Sequence, residues 1–287
     1  MPLTEADLSL LACPRCRGDV RQGDGSLRCT RCTAVYEVRE GIPDLLPWSG
    51  GVPGPEWARW REKLDALGEW RRATWDGSAS SVARQKVADD LAGEFFKFAR
   101  IPESATVLEI GCGSGELIRY LPRRRYWGLD PAPLSAALPP PAAGSPGPVL
   151  VRGVGEKLPL ADGVFEAVLL CETLDHALDP VQVIREARRV LKGGGVMAVM
   201  QGVALAMPPP PLRVRLRAAA GRVKARLLGR SVPADADTKM HVITQDGLTA
   251  IASAELLVES GITRGQTMFL RALKQDLSAP RVPKRSV

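Results

Sequence analysis

The chain of 287 residues contains no run near the roughly 18 consecutive apolar residues that a membrane-spanning helix needs. Its opening stretch, MPLTEADLSLLACPRC, lacks the basic, apolar and small-residue succession of an export signal. Together these absences lead to the expectation of a cytoplasmic protein whose thiols stay reduced. Aromatic residues make up only 5% of the chain, and no stretch reads as a recognisable RNA-binding domain. Histidine occurs only at positions 176 and 241, so any imidazole chemistry is confined to two places.

What is present reads as globular. With 45% apolar and 25% charged residues, the length allows one full core and a small appended module. The net charge of +7 rests on 39 Lys and Arg against 32 Asp and Glu. It permits an anionic partner, and it is equally consistent with a general compositional bias toward Arg, Ala and Pro.

Four of the six cysteines fall within the first 32 positions, as Cys13-x-x-Cys16, twelve residues, then Cys29-x-x-Cys32. Two knuckles of this spacing fold back to offer four thiolates in a tetrahedron, which suits a structural zinc ion. Two disulfides or a redox pair are the alternatives. The reduced compartment disfavours the first, and the duplication is not needed for the second. A closed four-sulfur site has no position for water, so such a metal holds the fold.

After the second knuckle, residues 33–47 (TAVYEVREGIPDLLP) alternate apolar and polar positions and then turn at Gly41 and Pro43. The Tyr36, Gly41, Ile42 and Pro43 pattern resembles the zinc-ribbon activator subunits of methyltransferases. Less closely, it is similar to the N-terminal zinc module of bacterial rRNA guanine methyltransferases. The resemblance implies a ribbon over residues 1–48 and a methyltransferase beyond it.

Residues 49–100 read as a linker and helical connector. SGGVPGPE, at 49–56, is Gly- and Pro-rich; Trp57, Trp60, Leu64, Leu67 and Trp70 then mark one helical face, and Val87, Leu91, Phe95 and Phe98 another. The Trp face reads first as packing. In class I methyltransferases a helix here covers the cofactor, which brings Trp70 or Trp75 into consideration.

The stretch LEIGCGSGELIRYL, at 108–121, places glycines at 111, 113 and 115 between a buried strand and an expected helix from about Glu116. A dinucleotide fingerprint requires glycine at 116, where Glu116 stands, so NAD is disfavoured. Glu109-x-Gly111-Cys112-Gly113-x-Gly115 resembles the first motif of class I S-adenosylmethionine-dependent methyltransferases. An acid beside the loop suits a sulfonium, just as a helix N-terminus suits a pyrophosphate. Asp130, followed by Pro131, comes at the end of the next strand, where a carboxylate accepts both ribose hydroxyls.

The passage from Val149 to Pro180 is similar to the corresponding passage of quinone- and natural-product-type methyltransferases. That resemblance implies an adenine site near Gly155 and Glu156, with Val154 where the family often has an acid, and a fourth strand ending at Cys171 and Glu172. Cys171 reads as a buried neighbour of the cofactor because no activating base adjoins it. The resemblance also places His176 toward the methyl acceptor, as base or as orienting group, and makes His241 a second catalytic candidate lining the acceptor pocket. Asp179 and Pro180 read as the cap and first residue of the next helix.

Two stretches depart from the family. The prolines of 137–148 forbid a full crossover helix, leaving a sheet face for another element, such as the ribbon, to cover. Residues 205–242 form a basic insertion whose amphipathic pattern resembles a lid. Its polar face is compatible with RNA, an acidic lipid surface, an anionic substrate or plain solvent. A strand ends at Lys274, and the stretch from Gly261 to Lys274 has only 14 residues, which is short for the two final strands of the family; residues 276–287 read as a flexible tail.

The expectation is an α/β protein, a doubly wound methyltransferase sheet over 101–275 with a small N-terminal ribbon. It would move a methyl group to an oxygen or nitrogen of a small molecule, as in natural-product tailoring. RNA base methylation and a catalytically silent, activator-like partner are the alternatives.

Overall fold

The computed structural model describes residues 3–48, 54–74, 79–132, 147–204 and 240–276, with the side chains of 65–87 left aside. Parts of several sequence expectations lie outside these residues: the linker at 49–53, the Trp70 side chain, Trp75, the proline-rich 133–146, the insertion at 205–239 and the tail from 277.

The N-terminal unit opens with α1 (Glu5–Leu8), where Thr4 and Asp7 cap each other reciprocally. Strands β1 (Val20–Gly23) and β2 (Ser26–Cys29) pair antiparallel across the two-residue turn Asp24-Gly25. The residues between the two cysteine pairs therefore build a hairpin that folds one knuckle back on the other. Strands β3 (Val35–Arg39) and β4 (Ile42–Pro43) complete a four-stranded sheet in the order β1-β2-β3-β4.

Helices α2 (Pro55–Thr74) and α3 (Ala79–Ala99) follow. Trp60 of α2 is buried, with Trp57 edge-on at 5.2 Å and Trp48 a further 5.0 Å from Trp57. Phe95 of α3 packs against Phe269 at 5.5 Å.

The second sheet has seven strands: β5 (Thr106–Ile110), β6 (Arg125–Asp130), β7 (Val149–Arg152), β8 (Phe165–Cys171), β9 (Leu191–Gly202), β10 (Leu257–Arg264) and β11 (Thr267–Leu273). Their spatial order is β10-β11-β9-β8-β5-β6-β7. The five strands β5 to β9 run parallel, and β11 is antiparallel to both neighbours. The order reverses between β5 and β8, and that switch point is where ligands of doubly wound sheets bind. Helix α4 (Pro180–Val190), capped by Asp179 with Pro180 at its first turn, and α5 (Gln245–Ser253), capped by Thr244, pack on the sheet.

Three expectations need correction. Both final strands exist: the Gly265-Gln266 turn is only two residues long, so β10 and β11 fit into a short sequence. The segment after the glycine loop is a 3-10 helix, Glu116–Tyr120, and not a longer α-helix, because Pro122 follows at once and the residue before a proline is disfavoured in helical geometry. The ribbon lies mainly at the edge of the large sheet. Asp44 bridges Arg152 in parallel beside β7, and Leu11 bridges Leu160 in antiparallel. Leu11, Val20, Leu27, Tyr36 and Leu45 join Trp127, Leu129, Val151 and Leu160 in one continuous apolar core. An edge strand that would offer unpaired backbone groups is thereby covered.

Candidate functional site

At the carboxyl ends of β5, β6 and β8 lies a pocket of about 140 Å³. Its floor is Ile110, Gly111 and Gly113; one wall is Leu129, Asp130, Pro131 and Ala132; the other is Gly155, Glu156, Thr173 and His176. Trp60 and Leu64 of α2 form the roof, and the Trp60 indole donates to the His176 carbonyl at 2.7 Å. Trp60 belongs to the face that the sequence pattern marks as packing, and no local signal separates packing against a domain from packing over a pocket; the Trp70 side chain and Trp75 lie outside the described residues.

The glycine loop is held by its own backbone. Gly111 N–H donates to Leu129 O at 2.7 Å and Gly113 N–H to Asp130 Oδ2 at 2.8 Å. Asp130 Oδ1 accepts the Ala132 amide at 2.9 Å. Two backbone donors thus orient the carboxylate. At Gly111, with φ +75°, an added Cβ would lie 2.5 Å from Thr173 Oγ1. The close neighbour there is a side chain of this protein, which itself donates to the Ile110 carbonyl at 3.0 Å.

On the opposite wall, Glu156 accepts the amides of Leu178 at 2.7 Å and Asp179 at 3.3 Å. Glu172 holds a left-handed backbone, φ 51°, and accepts the Gly202 amide at 3.1 Å. A non-glycine residue in that conformation at a pocket wall is stored strain of the kind found at functional sites.

The expected site residues separate into two groups. Gly111, Gly113, Asp130, Pro131, Gly155, Glu156, Glu172 and His176 line the pocket. Glu109, Cys112, Gly115 and Cys171 stand outside its lining. Cys112 is buried against Tyr126 and Gly128, and Cys171 packs on the same core, because alternate positions along strand and turn point to opposite faces. His241 lies in a separate cavity of about 870 Å³, between the first knuckle, α4 and α5, with its Nε2 3.1 Å from the Leu178 carbonyl. The two histidines therefore face different spaces.

Residues 108–199, spanning the glycine loop, both walls and most of β9, match the family model described as a methyltransferase domain. This segment is similar to methyltransferase domains, and the match covers about a third of the chain. An uncharacterized methyltransferase of Mycobacterium tuberculosis (strain ATCC 25618 / H37Rv) is 35% identical over 97 residues, 33% of this chain and 38% of that relative. The chain thus spans well under half the length of the curated relative it matches. Among solved structures, the [4+2]-cyclase SpnF is similar at 16% identity, covering 67% of this chain and 82% of that one, with a TM-score of 0.49. So is the complex of the Haloferax volcanii Trm112 methyltransferase activator with a methyltransferase, at 16% identity, 72% and 98% coverage and a TM-score of 0.49.

Electrostatics of the methyltransferase domain centre on Glu109. Burial pushes its carboxyl up to about 8, the Tyr126 hydroxyl at 2.5 Å pulls it down, and Asp130 pushes it up again. Burial also raises Glu156, against the amide donors at its oxygens, and it raises the Cys112 and Cys171 thiols well above their usual range. Neither cysteine is an activated nucleophile.

In the ribbon, Cys13, Cys16, Cys29 and Cys32 bring four sulfurs within 4.8 Å of one another. Cys13 and Cys32 are 3.6 Å apart and Cys16 and Cys29 3.4 Å, so all four are free thiols. Burial works against ionisation of Cys29, but the Cys32 and Arg31 amides outweigh it and lower its thiol to about 6. Tyr36, fully buried, places its hydroxyl 3.1 Å from Cys13 Sγ. Among the described residues no helix is long and apolar enough to cross a membrane.

Proposed function

We propose that this chain is an S-adenosylmethionine-dependent methyltransferase acting on an oxygen or nitrogen of a small-molecule acceptor, with a structural zinc ion in the cysteine ribbon. The observation that carries the reading is Asp130, fixed by the Gly113 and Ala132 amides at the mouth of a glycine loop on the switch point of the sheet. When bound, S-adenosylmethionine supplies a methyl group already activated on a sulfonium. Asp130 would take the ribose hydroxyls, and Gly155 with Glu156 would border the adenine.

The protein contributes position more than chemistry. Holding donor and acceptor in register removes much of the entropic barrier to an in-line displacement. His176, on the wall past β8, would orient the acceptor or hold its departing proton. His241 belongs to the neighbouring cavity and would act on a more distant part of an acceptor.

The four-sulfur set fits zinc. A tetrahedral ion with Zn–S bonds of about 2.3 Å places its sulfurs about 3.8 Å apart, close to the 3.4 and 3.6 Å separations of the two cysteine pairs.

RNA is the second reading, favoured by the net charge of +7. Methyl-labelled S-adenosylmethionine, incubated with the zinc-loaded chain and a cell extract, separates the two. Label in a product that passes a small-pore filter and separates by chromatography from S-adenosylmethionine supports the small-molecule acceptor. Label retained on the filter and released by ribonuclease overturns it in favour of RNA.

A further inference from the structure

The ribbon holds the methyltransferase domain at two points, and both lead to the same half of the pocket. Leu45 N–H donates to the Arg152 carbonyl at 2.8 Å, and Asp44 Oδ2 accepts from Arg152 Nη1 at 2.6 Å. Arg152 Nε in turn donates to the Pro131 carbonyl at 3.1 Å, next to Asp130. One guanidinium therefore joins the last ribbon strand to the loop that carries the ribose-binding acid.

The second tie reaches the adenine side. Ala12, adjacent to Cys13, donates its amide to Pro159 O at 2.9 Å, and the Ala161 amide donates to Leu10 O at 2.8 Å. Arg17, adjacent to Cys16, donates to Glu186 Oε1 at 2.8 Å, and the buried Glu186 accepts the Leu158 amide on Oε2 at 2.9 Å. Leu158 follows directly on the 155–157 turn that lines the pocket.

Resting on the functional reading above, we propose that the ribbon sets the affinity of this domain for its nucleoside cofactor, with Arg152 as the principal positioning residue, held by Asp44. Arg152 serves because its planar fork presents two separate donors, Nε to Pro131 and Nη1 to Asp44; a lysine ammonium at that place cannot span both. The ribbon then acts on the donor side of the reaction, and the acceptor is chosen elsewhere.

The test uses the full-length zinc-loaded chain, S-adenosylhomocysteine as probe, and the variants Asp44→Asn, Arg152→Lys and their combination. Zinc content is measured by chelator titration, melting by calorimetry, and probe affinity by isothermal titration. The expected result is one zinc per chain throughout and probe binding weakened about fivefold in each single variant, at the low end of coupling between sites. The double variant should be no weaker than either single one, because both changes break the same tie. Coupling is reciprocal, so saturating probe should raise zinc affinity in the wild type and do so less in Asp44→Asn. Unchanged probe affinity in both variants, or a lowered melting temperature alone, overturns the positioning role and leaves the functional reading standing. A wild-type chain that takes up zinc and binds no probe overturns both.

Discussion

Glu109 offers a perturbation whose size follows from its surroundings. Its carboxyl lies within the core behind the glycine loop, 2% exposed, and burial holds it up to about 8 against an ordinary value of 4.5. The folded chain therefore keeps a proton there that the unfolded chain releases above about pH 4.5. Stability from this group is fully present below that pH and is lost as pH rises toward 8, the reverse of a salt-bridged carboxylate. Between the two values each pH unit costs about 1.4 kcal/mol, so the loss by pH 7 is roughly 3 kcal/mol. Glu109→Gln keeps an acceptor for the Tyr126 hydroxyl and cannot titrate. Urea unfolding of both proteins at pH 5, 6 and 7, with zinc present throughout, isolates the group, since metal-linked effects are common to the pair. The difference in unfolding free energy should shift in favour of Gln by about 2 to 3 kcal/mol across that range. Parallel stability curves would show that Glu109 is ionised in the folded chain and refute the reasoning.

Other consequences are checked more briefly. Gly111→Ala meets Thr173 at 2.5 Å and a φ of +75°, and should lower stability by about 3 kcal/mol. Adding Thr173→Ala should restore only part of this, as seen in thermal melts, because the backbone strain remains. Trp60→Phe removes the indole bond to the His176 carbonyl, and its intrinsic fluorescence should respond less to S-adenosylhomocysteine than that of the wild type. An equal response in both proteins would move the roof away from Trp60. Tyr36→Phe leaves Cys13 without its hydroxyl neighbour and should cost about 1 kcal/mol while zinc is retained; loss of zinc would assign the hydroxyl a larger share in the metal site. Chelation of the metal should melt the ribbon and part of the large sheet together, since Leu27, Tyr36 and Leu45 share a core with Trp127 and Leu129. Far-ultraviolet circular dichroism showing two separate transitions would contradict that.

Periodicity and spacing carry local information, and the parts of the structure that are local were legible. The buried runs around Leu108, Trp127 and Leu169 are parallel strands covered on both faces, which need no partner to be recognised. The cysteine spacing announces the ribbon because the four cysteines and the hairpin between them lie within 20 residues. The position of Asp130 at the end of β6 was legible by its distance from the glycine loop. What failed depends on contacts far apart in the chain. Asp44 meets Arg152 across 108 residues, so the ribbon's seat on β7 leaves no local trace. Trp60 shares the spacing of an ordinary packing face, and only tertiary packing brings it to the pocket. Cys112 and Cys171 are near the loop in sequence, but their side chains pack on the core outside the pocket lining.

The most direct measurement is isothermal titration of the zinc-loaded chain with S-adenosylmethionine and S-adenosylhomocysteine, alongside Asp130→Ala. One site per chain for both nucleosides, with affinity lowered at least tenfold when the carboxylate is removed, is the expected outcome, since two charge-assisted hydrogen bonds are lost. Absence of binding by the folded, metal-loaded wild type, or equal affinity in the variant, would contradict the placement of the cofactor on Asp130.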